Sequence, residues 1–341
     1  MKFGPVPVSQ AEGAVLAHSV GLGTRRLRKG RVLEGADLTA LQEAGYSEVT
    51  VARLEALDLD EDAAAIALAH ALVPDPNAAG LTLAPVGTGR VNIVAQGPGL
   101  VLLNAEHVHA VNAVDPAITL ATLPGLMRVE AGAMVATVKI IAYGVAASAV
   151  ENACDLGQGA IRLAPPVLRR ASLIQTQVQP RDDGTKGHAV TAARLGRLGV
   201  ELDPICLVPH QIDPLADALR KAQGDVLLIL TGSATSDLYD TAPEALRHAG
   251  GEVVHFGMPV DPGNLLFLGH LGARPVIGLP GCAKSPALNG ADWVMERIIC
   301  GQSVTAADIM AMGVGGLLKE IPTRPRPRRD GEIMPNRLQK D

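Results

Sequence analysis

"DVLLILTGSATSDLYD", residues 225–240, sets five consecutive aliphatic side chains, Val226–Leu230, ahead of a turn of small hydroxylated residues and two aspartates. A run that is apolar at every position suits a strand covered on both faces, as in a parallel sheet. The neighbouring segments extend the pattern. "ASLIQTQV" (171–178) is a strand, "GHAVTAARLGRLG" (187–199) a helix and "VELDPICLV" (200–208) a strand. "IDPLADALRKAQG" (212–224) is a helix with Ile212, Leu215, Ala216 and Leu219 on one face. After the central strand come a short helix "PEALRHAGG", a strand "EVVHFG", two strands around a tight turn in "NLLFLGHLGARPVIGLP", and a helix over "SPALNGADWVMERIICG". This alternation predicts an α/β fold with a mostly parallel sheet in a three-layer arrangement over 171–301. Ligands of such sheets bind at the carboxyl ends of the strands, where "TGSATSDLYD" (231–240) and "GLPGCAKS" (278–285) both fall.

The remainder divides into three further segments. Residues 1–73 read as a small α/β segment: an arm, a helix Asp37–Ala44 with Asp37 as N-cap and Gly45 as its stop, a strand Glu48–Leu54, and a helix in "DEDAAAIALAHAL" with Ala64, Leu68 and Leu72 on one stripe. "VPDPNAAG" (73–80) breaks that pattern and marks a boundary. Residues 74–170 are β-rich, with two strands around the Gly-Pro-Gly turn of "GRVNIVAQGPGLVLLN", another in "MVATVKIIAYGVA", and a second proline punctuation at "LAPPVLRR". Residues 302–341 form an extension whose "TRPRPRRD" (323–330) reads as a solvated linker.

Composition bounds the function. The 341 residues are 48% hydrophobic and 19% charged, with a net charge of −5, so the whole molecule lacks the basic field of a nucleic-acid binder. The single tryptophan, three tyrosines and three phenylalanines leave little for base stacking. Apolar runs are far too short to span a bilayer, and the N-terminus lacks the apolar core of a signal peptide, so no membrane association and a cytoplasmic location are expected. The four scattered cysteines are expected to be reduced thiols.

In the two loops, glycines and small hydroxyls let the backbone approach a phosphate or flat heterocycle, and a helix predicted to open near Lys284 or Ser285 adds a partial positive charge. The competing reading is two ordinary strand–helix turns with N-caps. Asp237 and Asp240 are a carboxylate pair suited to Mg²⁺ or to general base chemistry. One of them also caps the helix opening at Pro243, a role expected of Asp237, which leaves Asp240 as the available acid. His107 and His109 in "HVH" fall on one face of a predicted strand; without a third ligand nearby they read as a half-exposed strand rather than a metal pair. "GTGR" (87–90) lacks the rest of a dinucleotide or P-loop motif.

"TGSATSDLYD" resembles the Ser-Gly-Gly-Val-Ser-x-Gly-x-x-Asp loop of the molybdopterin-binding domain shared by molybdopterin molybdotransferases, the adenylyltransferases that precede them, and gephyrin. "MPVDPGNLLFLGHLGARPVIGLPGCAKSPALNG" resembles the Lys-Pro-Gly-Lys-Pro…Gly-Leu-Pro-Gly-Asn-Pro-Val-Ser stretch of the same superfamily. The middle segment is similar to molybdopterin-binding proteins often fused to a molybdenum-cofactor nucleotidyltransferase. The resemblance extends over roughly residues 1–325.

It implies a three-layer αβα molybdopterin-binding (MoaB/Mog-like) domain and a homodimer. By position it assigns Asp240 and, in "LGVEL", Glu201 as catalytic acids. Thr231, Gly232, Ser233, Thr235, Ser236, Pro280, Gly281, Cys282, Lys284 and Ser285 take the cofactor-binding positions, and Asp237 with Asp240 would hold Mg²⁺. Asp261 and Asn264 replace the family's two lysines, Cys282, Ala283 and Lys284 replace Asn-Pro-Val, and Ser233 replaces a glycine. The small C-terminal β domain of full molybdotransferases is not expected after Gly301, nor a nucleotidyltransferase domain. The implied function is binding of molybdopterin or molybdenum cofactor in cofactor biosynthesis, by molybdate insertion in a transferase-like reaction or by cofactor presentation. The alternative is a non-catalytic carrier that hands cofactor to a nucleotidyltransferase or an apo-molybdoenzyme.

Overall fold

The structure, a computed structural model, describes residues 1–179 and 182–318. It is mixed α/β and divides into two compact units, Met1–Pro165 and Pro166–Asp341, at the double proline of "LAPPVLRR". The arginine-rich stretch 323–330 lies outside the described residues.

The first unit has two cores. In one, strand Glu48–Arg53 pairs antiparallel with Lys2–Pro7 and with Val15–Leu16, around Val8, Leu16, Leu33, Leu41 and Val51. The arm before the first helix begins with a hairpin, Val20–Leu22 against Arg25–Leu27. That helix is Gly35–Glu43. Asp37 is its third residue and not its cap: Glu34 caps it, and the Glu34 amide donates to Asp37 Oδ2 at 3.1 Å in a capping box. Gly45, at φ 84°, terminates the helix as expected.

The second core gathers helix Glu61–Leu72 with the strands that follow. Asp60 caps this helix, and Ala64, Leu68 and Leu72 are buried on the predicted stripe. They pack with Ile93, Val101, Val138 and Ile161, so "VPDPNAAG" is a turn inside one core rather than a division between domains. Arg90–Ala95 and Gly99–Leu103 flank the Gly-Pro-Gly turn but enter different sheets. The first pairs with Leu81–Gly87 and Met134–Ile140, the second with Arg128–Val129 and Ile161–Ala164.

"HVH" is helical, within Ala105–Asn112, because Asn104 caps that segment by accepting from the His107 amide at 3.2 Å. Two residues apart on a helix, His107 and His109 diverge by roughly 200°, which removes the strand-face metal pair. "GTGR" is a hairpin turn with Thr88 and Gly89 at positive φ, and its Gly89 amide donates to Asp62 Oδ1 at 2.6 Å.

The second unit is built on a seven-stranded sheet. Its strands are β1 (Arg170–Gln177), β2 (Glu201–Leu202), β3 (Cys206–Pro209), β4 (Val226–Leu230), β5 (Glu252–Phe256), β6 (Phe267–Leu271) and β7 (Arg274–Leu279). β2 and β3 both lie parallel along one side of β1; β4 and β7 follow in parallel on the other, and β6 and β5 complete that edge antiparallel. The helices are α1 (Thr185–Gly196), α2 (Ile212–Lys221), α3 (Thr241–His248), α4 (Gly290–Ile299) and α5 (Ala306–Met310).

The aliphatic run of β4 is buried at all five positions. Leu227 and Ile229 enter a cluster with Leu215, Leu219, Ala245 and Leu246 of α2 and α3. Leu230 faces the other way, so close to α1 that a Cβ on Gly187 would come within 2.7 Å of it. Both faces of the strand are therefore covered, which is why no position in it is polar.

Candidate functional site

Four parallel strands end within two residues of one another, β1 and β3 running two residues beyond β4 and β7. Gln177 pairs with Pro209, Gln175 with Leu230, and Leu230 with Leu279, so the loops after β1, β3, β4 and β7 leave the same edge of the sheet. "TGSATSDLYD" and "GLPGCAKS" are two of these loops.

The loop after β4 is held by its own carboxylates. The amides of Ser236 and Thr241 donate to the two oxygens of Asp240, at 2.9 and 2.6 Å, and the Tyr239 amide donates to Asp237 Oδ1 at 2.8 Å. Asp240 is the N-cap of α3, with extended backbone at φ −68° and ψ 168°. The expectation that Asp237 caps this helix and Asp240 stays available is thus reversed. Burial pushes the Asp240 carboxyl up, but the Ser236 and Thr241 amides and the charge of His210 outweigh it and hold it below the usual carboxylate range. An acid kept ionised in this way is a poor general base.

Arg247 of α3 fastens the loop from below, donating to Leu238 O at 3.0 Å and lying 5.3 Å from the centre of the Tyr239 ring. Thr231 and Thr235 are buried, their hydroxyls 3.5 Å apart. Among the described residues, the amides of Ser233, Ala234 and Thr235 donate to no protein acceptor, so this stretch offers consecutive donors to an anion.

Gly232 is needed where it stands, for a reason other than ligand approach. Its amide donates to Thr176 Oγ1 at 2.9 Å, and a Cβ there would lie 2.6 Å from Thr176 O. Thr176 Oγ1 is also 2.8 Å from His210 Nδ1. Sequence reasoning missed this threonine–histidine pair. Its signals were a threonine near the end of a predicted strand and a histidine directly after the next strand.

The loop after β7 departs from expectation. Pro280 is buried, Gly281–Lys284 form a single 3-10 turn, and Ser285 is extended. The α-helix begins only at Gly290, capped by Asn289, which is fully buried. No helix N-terminus therefore opens at Lys284 or Ser285; Ser285 Oγ instead accepts from the Ala287 amide at 3.3 Å. The Cys282 thiol accepts from Asn289 Nδ2 at 3.1 Å. A Cβ on Gly281 would meet nothing within 4 Å.

The loop is shaped by buried Arg194 of α1, which donates to Ala283 O at 2.7 Å, Ser285 O at 2.6 Å and Ala287 O at 3.0 Å, and pairs with Asp292 Oδ1 at 2.5 Å. Arg194 was not legible in the sequence: the helix is only partly buried, and the face that holds Arg194 is shared by Gly187, Thr191 and Leu195. Lys284 Nζ pairs with Asp182 Oδ2 at 3.3 Å and so links this loop to the one after β1.

Two of the expected roles have no place at this edge. Glu201 begins β2 and pairs in register with Arg170, at the opposite end of β1; five to seven residues of strand put it about 20 Å from the loops. It is exposed, and no catalytic partnership with Asp240 follows. Mg²⁺ fits Asp237 and Asp240 poorly. Three of their four oxygens are turned to amides of their own loop, and among the described residues no three His, Cys, Asp or Glu side chains gather to hold a metal.

A cavity of about 570 Å³ in this unit lies away from the loops, against α2 and the outer side of β1, with Arg170, Asp203, Cys206 and Lys221 in its wall. Among the described residues no helix is long and apolar enough to cross a membrane.

Residues 5–53 match the model of a domain of unknown function, DUF8806. No curated protein sequence matches the chain. Among solved structures, the chain is similar to the molybdopterin biosynthesis MoeA protein from Pyrococcus horikosii, at 14% identity over 88% of this chain and 75% of that one, with a TM-score of 0.31. It is also similar to a molybdenum cofactor biosynthesis protein from Pyrococcus furiosus, at 13% identity over 91% of this chain and 65% of that one, with a TM-score of 0.24. Overlap this loose carries no argument for an activity.

Proposed function

We propose that the second unit binds molybdopterin or molybdenum cofactor at the carboxyl edge of its sheet and serves cofactor biosynthesis. The observation that carries this reading is the convergence of the two family-like loops. They follow adjacent parallel strands whose last residues, Leu230 and Leu279, are register partners. The donors suited to an anionic ligand are the consecutive amides 233–235, His210 and Lys284.

Between the two versions of the function, the carrier is favoured over the transferase by one specific observation: the carboxylate oxygens of Asp240 serve a helix cap. On this reading the protein is a dimer that hands cofactor to a nucleotidyltransferase or an apo-molybdoenzyme. The domain would be the three-layer αβα type, with pterin held by backbone and small hydroxyls in place of the family's two lysines.

The test is to release bound ligand from purified full-length protein with denaturant and measure pterin fluorescence after oxidation, then to titrate pterin into the native protein and Lys284→Ala. A charge-assisted contact predicts weaker binding in the variant by about 1–3 kcal/mol. No pterin in the extract and no saturable titration would reject the reading.

A further inference from the structure

The first unit carries a concentration of positive charge that the proposed function does not use. "TRRLRKGR" (24–31) places Arg25, Arg26, Arg28, Lys29 and Arg31 within seven residues of a chain whose net charge is −5. The fold bends this stretch into a concave surface. Arg25–Leu27 is the second strand of the hairpin, after a two-residue turn with Gly23 at φ 64°. Buried Leu27 anchors it, and Gly30, at φ 83°, turns the chain back. The result is a cavity of about 420 Å³ lined by residues 25–31 alone.

Of these cations only Arg31 has a carboxylate partner, Asp37 Oδ2 at 2.8 Å; among the described residues Arg25, Arg26, Arg28 and Lys29 make no ion pair. All five are exposed. Four like charges left unpaired around one hollow repel one another, and an anion relieves that repulsion.

Three features decide the kind of anion. The backbone donors of the turn are used internally: Lys29 N donates to Ser19 Oγ, Gly30 N to Leu16 O and Arg31 N to Arg28 O. Recognition therefore falls to guanidinium forks, which match phosphate oxygens. The patch is short and bounded by acids, with Asp37 in electrostatic reach of Arg25 and Glu61 in reach of Lys29. A long nucleic-acid backbone carries a charge every few ångströms and would run from the hollow onto these carboxylates. The lining also holds no aromatic side chain on which a base could stack.

We infer that the 25–31 hollow binds a compact polyphosphate chain, either free or as the tail of a nucleotide, through Arg25, Arg26, Arg28 and Lys29. The site is independent of the sheet-edge loops of the second unit.

The probes are inorganic tripolyphosphate and, separately, ATP, titrated calorimetrically into full-length protein at about 0.15 M salt, where diffuse attraction is screened. Saturable 1:1 binding of either is expected, and the tighter one identifies the source. Arg26→Gln/Arg28→Gln should weaken it by at least about tenfold, because two charge-assisted contacts are lost. Arg26→Lys/Arg28→Lys, which keeps the charge, should fall between, and Lys284→Ala should bind like the parent. No saturable binding of either probe, or equal binding in the glutamine variant, overturns the proposal. So does tighter binding of a duplex oligonucleotide or of anionic vesicles, since either would mean an extended polyanion surface.

Discussion

Asp240 shows how one residue can satisfy a local rule and still look catalytic. Its side chain accepts from the first amide of α3 and from Ser236 four residues back, so it closes the loop and starts the helix together. Serine also caps helices well but has no carboxylate. Asp240→Ser should keep the fold while removing the acid, whereas Asp240→Ala should cost about 1 kcal/mol in urea unfolding, within the usual range for a lost cap. The pH dependence has a fixed sign. The folded carboxyl binds its proton less tightly than the unfolded one, so its contribution is present above the unfolded value of about 4 and is lost as pH falls through the folded value. Asp240→Ala should therefore flatten the acid limb of the stability curve. An unchanged acid limb would dispute the electrostatic account, and a cofactor-dependent rate that vanished in well-folded Asp240→Ser would restore the acid to chemistry.

Among the elements, α1 governs the candidate site through a single buried charge. Arg194 reaches three carbonyls of the 283–287 segment and pairs with Asp292, whose other oxygen accepts from the Asn289 amide at the start of α4. Removing the guanidinium would leave Asp292 as a buried, uncompensated charge. Arg194→Met should thus cost about 3–5 kcal/mol in urea unfolding, the usual penalty for breaking a buried pair on one side. It should also speed amide exchange of residues 283–289 more than that of β4. A loss below 1 kcal/mol, with exchange unchanged, would reject the role given to Arg194.

The legible and illegible parts of the sequence separate at the same level. β4, α2 and the β6–β7 hairpin were readable because burial dictates their periodicity. The start of α4 was not, since five residues beyond Lys284 stay non-helical to satisfy contacts from Arg194, which is remote in sequence. Asp237 and Asp240 have the same chemistry, and backbone geometry rather than residue type chose the cap.

Across the molecule, the first unit was harder to read than the second for a topological reason. In a βαβ succession the strand that pairs next usually comes next in the chain, so the order of segments predicts the sheet. In residues 81–164 the partners are distant: Arg90–Ala95 pairs with Met134–Ile140 across an intervening helix and three strands, Gly99–Leu103 and Arg128–Val129 of the other sheet and Ile118–Thr122 of their own. Alternation can identify such strands but not assign their neighbours. The partition at Pro165–Pro166 follows from the same pairing map. Among the described residues every sheet takes its strands either from residues up to Ala164 or from Arg170 onward. Each unit also contains complete apolar clusters, around Leu68, Ile93 and Val138 in the first and around Leu215, Ile229 and Leu246 in the second. A segment that completes its own sheets and core has what cooperative folding needs. Residues 1–165 and 166–341, expressed separately, should each be folded by circular dichroism and unfold in a single urea transition. Because urea sensitivity scales with the surface exposed, the slope for each fragment should be smaller than for one transition of a 341-residue chain. The polyphosphate binding proposed for the hollow at 25–31 should be retained by the first fragment, and the pterin binding proposed for the 231–240 and 280–285 loops by the second. A fragment that is unfolded alone, or that regains structure only when its partner is added, would show that the two units are one folding domain.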